Sequence, residues 1–271
     1  MESWFEFSEL SLKVNKDFCK KGKPYTRAGL PEFKWNLGEY DNIFRARDFE
    51  NDRYRDGKKI QGTSSDDVIF GSDLGDMIYS GEKTDGDSNV KSKNLIFAGG
   101  GNDEIQGDGG EDEIYGENGE DLISGGGGND LLCGGNGGDI IDGNAGDDRI
   151  FGGQGLDELN GNAGNDIIDG GSGDDNIEAR LGSDVLIGGE GKDTFFVAFE
   201  RNEQGRFMSH QIEDFELGEE VELLPVEGLQ ELNISPHDHG AQLISGDQTL
   251  LIFEGVGQNN LSFDGQKIAF V

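Results

Sequence analysis

Residues 125–133 read GGGGNDLLC, a stretch that combines two opposite structural tendencies. Its four consecutive glycines disfavour both helix and strand, because glycine loses the most conformational freedom on ordering. Asp130, Leu131 and Leu132 follow almost at once, as at the start of a buried strand. The stretch therefore predicts a turn whose backbone needs glycine, followed directly by a short strand.

The same pattern recurs every nine residues from Ala98 to Phe196, in eleven consecutive repeats without an insertion. The fourth residue of every repeat is glycine, the sixth is aspartate, and the eighth is Ile, Leu or Phe. A fixed short period predicts a solenoid. We expect six residues of each repeat to form a turn and three to form a strand, with position eight in the core and positions seven and nine facing outwards.

Two repeats make one coil of a flattened spiral, so residues 18 apart stack on the same edge as successive rungs. The position-six aspartates then form two columns, whose carboxylates repel one another unless cations lie between the rungs. One column contains Asp103, Asp121, Asp139, Asp157, Asp175 and Asp193, and the other contains Asp112, Asp130, Asp148, Asp166 and Asp184.

Calcium is the cation that suits these gaps, because it takes six to eight oxygen ligands and accepts carboxylates together with backbone carbonyls. Columns of six and five leave about nine gaps, and about nine calcium ions would nearly cancel the charge of residues 98–196, which hold 24 acids and 3 bases. A glycine-rich linker would need neither an invariant aspartate nor a buried position. The net charge of −34 also argues against a nucleic-acid partner, which requires a basic surface.

The consensus G-G-x-G-x-D-x-U-x, with U a large apolar residue, resembles the nonapeptide of the RTX (repeats-in-toxin) calcium-binding family across residues 62–223. The resemblance implies an all-β fold, a right-handed parallel β-roll of two sheets with a C-terminal β cap. It also implies a protein secreted by a bacterium through type I secretion machinery, which acts outside the cell or on its surface. Because calcium is scarce inside cells, we expect the roll to fold after export.

The repeats degenerate upstream of residue 98. Asp67 and Asp76 stand at position six of two repeats that lack glycine at position four, so we predict them as weaker calcium ligands. The next 18 residues, 80–97, have the length of one full coil and place Asp85 and Asn94 at position six. They are predicted to form a degenerate coil with a bulged, charged loop.

The C-terminal residues 197–271 are predicted to close the roll. Ile212, Phe215, Val221 and Leu223 would cover the open end of the core, as a solenoid requires, and a hairpin would turn at 246–247. The resemblance implies that the end of this segment is also the type I secretion signal. A β cap that only packs on the roll explains the apolar sequence equally well.

The chain therefore divides into residues 1–61, 62–97, 98–196 and 197–271. The first segment is predicted to be an N-terminal cap or adaptor of unknown fold, with 13 bases and 11 acids. It lacks the pattern of a Sec signal peptide and is too short for an ordinary catalytic domain. No stretch of the sequence is predicted to span a membrane.

Enzyme motifs such as H-E-x-x-H, G-x-S-x-G and the P-loop are missing, so we predict no catalytic residue. His237 and His239 are interpreted as part of a polar loop rather than as a metal site. Cys19 and Cys133 belong to no recognised motif. Because Cys133 stands at position nine, we predict a free surface thiol and a scaffold without structural disulfides.

These features favour a secreted calcium-binding protein that acts as a surface or matrix component, or as an accessory module. One alternative is the C-terminal part of a secreted enzyme or toxin, although Met1 favours a complete chain. Another is a polysaccharide-binding module. Outward aromatic and basic side chains would serve that role, and Tyr115, Arg149 and Phe151 are the candidates.

Overall fold

The structure is a computed structural model that describes residues 42–45, 59–63, 65, 67–81, 92–225 and 232–270. Most of the predicted N-terminal cap or adaptor, residues 1–61, lies outside the described residues. Asp85 also lies outside the described residues.

The described residues form 23 strands in two sheets. The strands are β1 (Asn42–Arg45), β2 (Lys59–Gln61), β3 (Asp67–Phe70), β4 (Met77–Tyr79), β5 (Leu95–Gly100), β6 (Glu104–Gln106), β7 (Glu113–Asn118), β8 (Leu122–Gly127), β9 (Leu131–Asn136), β10 (Ile140–Ala145), β11 (Arg149–Gln154), β12 (Glu158–Ala163), β13 (Ile167–Ser172), β14 (Asn176–Ala179), β15 (Val185–Glu190), β16 (Thr194–Val197), β17 (His210–Ile212), β18 (Glu220–Leu223), β19 (Leu232–His237), β20 (Gly240–Ser245), β21 (Gln248–Glu254), β22 (Leu261–Phe263) and β23 (Lys267–Phe270).

Odd-numbered strands up to β17 form sheet A and even-numbered strands up to β18 form sheet B, as expected when successive repeats alternate between two sheets. Neighbouring strands of the roll are parallel, and within the regular block they pair residues 18 apart, such as Ile141 with Leu159. The predicted all-β parallel roll of two sheets is confirmed. It also begins earlier than the repeats indicate, because β1 pairs with β3 and β2 pairs with β4.

The strands are longer than the predicted three residues. In most repeats six residues form the strand, positions seven to nine and then one to three of the next repeat, which leaves a turn of only three residues. The ladder breaks at position one: Asp142 pairs with Asn160 and Asn144 with Asn162, whereas Gly143 has no paired residue. Positions one to three, which are rich in glycine, therefore continue the strand of the preceding repeat after an irregularity at position one.

The core lies between the two sheets and consists of the position-eight side chains. All eleven of these residues in the regular block are buried in one continuous cluster, which Ile60, Ile69, Ile78 and Ile96 extend towards the N-terminus. Each coil contributes one such side chain from each sheet. This part of the sequence prediction is confirmed.

The outer faces of the two sheets, towards which positions seven and nine were predicted to point, differ from each other in burial. On sheet A the position-nine residues Tyr115, Cys133 and Phe151 are buried in a second apolar cluster, separate from the main core. Cys133 is disulfide-bonded, so the prediction of a free surface thiol is wrong. Cys19, the other cysteine of the sequence, lies outside the described residues.

The segment 80–97 is not the full coil that its length predicts. It contributes one described strand, β5, and the strands on either side pair residues 27 apart, such as Ile69 with Ile96 and Ile78 with Ile105. The segment therefore supplies half a coil with nine additional residues. Equal length was a misleading criterion here, because register decides how the rungs stack.

The C-terminal residues close the roll as predicted. Ile212, Phe215 and Val221 are buried in the main core, and Leu223 packs against it. Strands β20 and β21 form the expected hairpin around Gly246, which has a positive φ of 64°. Sheet A continues through β21, β20 and β19, and sheet B through β23 and β22.

Two adjacent glycines provide a matched test of the turn. Gly128, at position four, has φ 132°, and a Cβ there would overlap the carbonyl oxygen of Gly110; a Cβ on Gly127 would meet only the Ala145 oxygen, at 3.9 Å. We expect Gly128→Ala to lower the free energy of unfolding in saturating calcium by at least ~3 kcal/mol, and Gly127→Ala by less than ~1 kcal/mol. Denaturant unfolding measures both values. Equal effects of the two substitutions would contradict the role assigned to position four.

Candidate metal centre

The position-six aspartates link successive rungs through hydrogen bonds. The backbone N–H of each aspartate donates to Oδ1 of the aspartate 18 residues later, with N–O distances of 2.8–3.0 Å. Asp139, for example, accepts from Asp121 and donates to Asp157. The two predicted columns of Asp103 to Asp193 and of Asp112 to Asp184 are therefore physically continuous.

The second carboxylate oxygen of these aspartates has no such partner. In all eleven regular repeats Oδ2 is buried and accepts no hydrogen bond within the described part of the chain. A buried carboxylate oxygen is costly to leave unsatisfied, and a cation removes that cost. Each rung therefore presents one oxygen that can ligate a metal.

In nine of the eleven regular repeats, glycine at position one keeps space open beside Oδ2; Ala98 and Ala179 take that position in the other two. A Cβ on Gly125 would lie 2.5 Å from Asp130 Oδ2 and 3.0 Å from the carbonyl oxygen of Gly143 on the next rung. The corresponding glycines from Gly107 to Gly188 show the same crowding against the aspartate of their own repeat. The space that glycine leaves therefore borders both a carboxylate and a backbone carbonyl.

These oxygens fit calcium, which accepts carboxylate and carbonyl ligands together. No group of three or more acidic, histidine or cysteine side chains in the described residues is arranged to hold a metal ion. Side chains alone therefore do not complete a site, and backbone carbonyls have to supply part of the coordination shell. The Oδ2 atoms of the position-six aspartates and the carbonyls of the position-one glycines are the groups that would hold the ion.

Comparison with protein families identifies the segment that carries these columns. The family described as RTX calcium-binding nonapeptide repeat (4 copies) matches residues 97–132, 133–168 and 169–198. Residues 97–198 consist of RTX calcium-binding repeats. A search of curated proteins found no match to the chain.

The two RTX columns end on residues that do not belong to nonapeptides. Nδ1 of the buried His210 lies 3.3 Å from the backbone nitrogen of Asp184 and 3.1 Å from its Oδ2, while Nε2 lies 2.9 Å from the Ala198 carbonyl oxygen. Glu219 is buried next to Asp193 at the end of the other column. Both terminal residues follow the last aspartate by 26 positions, so the nine-residue spacing gave no signal for them.

The N-terminal ends of the columns are different again. Asn94 continues its column as predicted, because its backbone N–H donates to Asp112 Oδ1 at 2.7 Å. Asp67 and Asp76 are buried, but Oδ2 of each already accepts a backbone N–H, from Thr63 at 2.6 Å and from Ser72 at 2.7 Å. Local donors thus occupy the oxygen that stays open in the regular RTX repeats, and the weaker calcium binding of Asp67 and Asp76 stays a prediction.

Position two contributes two acidic residues that the sequence analysis did not single out. Asp108 and Glu117 adopt φ 74° and 77°, in the left-handed region that favours glycine. Burial raises the pKa of Glu117 to about 7, with Asp121 and Asp73 as further causes. The sequence signal that could have identified them is an acidic residue at position two, which is otherwise mostly glycine or asparagine.

Burial also dominates the electrostatics of the columns in the metal-free protein. Desolvation, helped by neighbouring aspartates of the same column and opposed by the backbone hydrogen bond, raises the pKa of Asp139 and Asp148 to about 8. Desolvation by burial is also the main reason why the pKa of Asp121 and Asp157 rises to about 6. The columns therefore resist full ionisation near neutral pH unless a cation is present.

Pairs of substitutions test whether calcium gaps join residues 18 apart. We expect Asp139→Ala to raise the calcium midpoint of folding about three- to tenfold and to lower its cooperativity, because the array passes order between neighbours. Adding Asp121→Ala should be less than additive, since both carboxylates border the same gap, whereas adding Asp130→Ala on the opposite edge should be closer to additive. Calcium titrations followed by circular dichroism measure these midpoints.

Two single substitutions serve as controls for that series. Asp142→Ala, at the outward position nine, and Asp76→Ala, in a degenerate repeat, should change the midpoint less than twofold. Coupling between residues nine apart as strong as that between residues 18 apart would contradict the two-column arrangement.

Acidification should stabilise the roll in the absence of calcium. A carboxyl group whose pKa is about 8 when folded and about 4 when unfolded contributes stability that is present at low pH and lost as the pH rises through 8. We therefore expect the strand content of the calcium-free protein, measured by circular dichroism, to rise as the pH falls from 8 to 5. With saturating calcium the thermal midpoint should instead fall over the same range, because protons compete with the metal. A calcium-free strand content that decreases on acidification would contradict this electrostatic account.

Proposed function

We propose that this protein is a secreted calcium-binding β-roll that folds when it meets calcium outside the cell, and that it serves as a surface or matrix component or as an accessory module without catalytic activity. The observation that carries the proposal is the double row of buried Oδ2 atoms, none of which accepts a hydrogen bond within the described residues. Without a cation, the aspartates of either row could not be both buried and fully ionised at neutral pH.

The number of ions follows from the columns. Columns of six and five aspartates in the regular RTX block contain about nine gaps between rungs, each bordered by oxygen atoms of two successive repeats. About nine divalent ions would nearly neutralise residues 98–196, with their 24 acids and 3 bases. The proposed stoichiometry therefore satisfies both the geometry and the charge of the roll.

Calcium concentration would decide where the protein folds. With a dissociation constant of ~10⁻⁴ M, typical of extracellular calcium modules, millimolar calcium contributes ~1.4 kcal/mol per site. Nine such sites contribute ~13 kcal/mol, which is comparable to the whole stability of a domain. At the sub-micromolar calcium of a cell interior this contribution vanishes, so the chain would stay unfolded until export.

RTX repeats are typical of secreted bacterial proteins, and the C-terminal segment is the proposed recognition element for type I secretion machinery. In the folded state β23 pairs with β18 and Ile268 is buried in the core. A signal in this segment would therefore be accessible before folding and covered afterwards. No helix among the described residues is long and apolar enough to cross a membrane.

The structure weakens one alternative function. Tyr115 and Phe151, which a polysaccharide-binding face would expose, are buried on the outer side of sheet A. Of the candidates on that sheet, Arg149 alone is exposed. The alternative of a part of a larger secreted enzyme or toxin stays a prediction.

Metal-dependent folding is the direct test of the proposal. In chelator at neutral pH, far-UV circular dichroism should show mostly coil, and millimolar calcium should produce a strand spectrum and a smaller radius by scattering. Magnesium at the same concentration should not substitute, because it requires a small octahedral shell and retains its waters. A chain that is fully folded in chelator at pH 7.5 would overturn the proposal.

Export requires a separate test, because the C-terminal segment belongs to the cap as well. Deleting residues 255–271 should trap the chain in cells that carry a matching type I exporter. Ile268→Asp disrupts the packing of β23 but leaves the segment in place, so that variant should still be exported. Equal secretion of the deletion variant and the unaltered chain would show that the segment is a cap only.

A further inference from the structure

The outer face of sheet A carries a continuous apolar stripe that the calcium roll does not require. We name it the outer stripe; it consists of the position-nine side chains of five successive strands. Its members are Phe70, Phe97, Tyr115, Cys133 and Phe151. The rings of Phe70 and Phe97 stack at 5.5 Å, and those of Phe97 and Tyr115 at 5.0 Å.

The outer stripe is covered although it faces away from the core. Tyr115, Cys133 and Phe151 are only 5%, 3% and 7% exposed. On sheet B the outer face stays open, as the exposed fractions of Leu122 and Ile140, 46% and 45%, show. A single sheet cannot bury its own outer face to this degree, so another segment lies over sheet A.

The C-terminal part of the described chain is not that segment. Residues from 199 onwards lengthen the two sheets or pack into the main core, and none of them belongs to the cluster around the outer stripe. The disulfide at Cys133 points to a different segment. Since the sequence holds only two cysteines, Cys19 is the available partner within the chain.

The N-terminal residues 1–41 have the length to reach this face. Residue 42 begins β1, which is four strands from β9 in sheet A, or ~19 Å at the usual strand spacing. The 23 residues from Cys19 to residue 42 can span up to ~76 Å when extended. The connection is therefore long enough for Cys19 to reach Cys133.

Composition also matches residues 1–41 to the outer stripe. They contain eight of the chain's 24 aromatic residues, and their seven acids and seven bases balance, in contrast to the strongly acidic roll. Four lysines lie within four residues of Cys19. Aromatic rings suit an apolar stripe, and a basic neighbourhood suits the acidic surface around it.

We propose that residues 1–41 lie across the outer face of sheet A as a strap, and that a disulfide between Cys19 and Cys133 fixes them there. Formation of the bond joins two thiols, and an external disulfide oxidant takes up the two electrons and two protons as it is reduced to two thiols. Such oxidants act in extracellular compartments, whereas the cytosol keeps thiols reduced. The strap is thus fixed by oxidation, independently of the calcium columns.

Peptide mapping and proteolysis of the full-length, calcium-loaded protein test the strap. Mass spectrometry of a non-reduced digest should find a peptide pair joined through Cys19 and Cys133 in the monomer. Trypsin should cut between residues 13 and 34 at least ~10-fold more slowly in the oxidised protein than in Cys133→Ser, with the roll intact by circular dichroism in both. Free thiols in the oxidised protein, a disulfide between two chains, or equal cleavage rates would overturn the proposal.

A matched pair of substitutions tests the packing of the strap apart from the disulfide. Under reducing conditions in calcium, Phe151→Ser on sheet A should speed trypsin cleavage between residues 13 and 34 several-fold. Phe196→Ser, at position nine of β16 on the outer face of sheet B, should leave that rate unchanged. Equal rates for the two variants would show that the outer stripe does not hold residues 1–41. Neither substitution touches the aspartate columns, so calcium-dependent folding should persist whatever the outcome.

Discussion

Each position-six aspartate divides its carboxylate between two tasks, and the rest of the roll depends on that division. Oδ1 accepts the backbone N–H of the preceding rung, which fixes the stacking of successive coils. Oδ2 is left buried without a donor in the described chain, so a cation bound there would satisfy it. The same residue therefore sets the geometry of the solenoid and supplies the oxygen that the proposed calcium ions would bind.

The regular block could be predicted well from sequence because two simple periods coincide there. Strand alternation places every position-eight side chain in the core, and the nine-residue period places the aspartates 18 apart in columns. The glycine-rich half was less predictable. Propensity treats glycine as unfavourable in strands, but Gly135 pairs with Glu117 on one side and with Gly153 on the other, because parallel neighbours on both sides hold the backbone in place.

The repeat pattern could not predict features that depend on residues distant in sequence. His210 and Glu219 replace aspartates at the column ends, although each lies 26 residues after its neighbour. The burial of Cys133 depends on what covers sheet A rather than on its own repeat. The segment 80–97 shows the reverse error, since its length matched a coil while the register of β3 and β5 did not.

The antiparallel strands at the C-terminal end also limit how the molecule can assemble. A parallel roll that ended on an open rung would present a complete row of backbone donors and acceptors, ready to pair with the first rung of another copy. Instead sheet A ends on the β19–β20 hairpin and sheet B on the β22–β23 hairpin, neither of which carries an aspartate column. A second copy stacked on this end would therefore find no aspartate rung opposite its own, so the aspartate columns cannot continue from one copy into the next there.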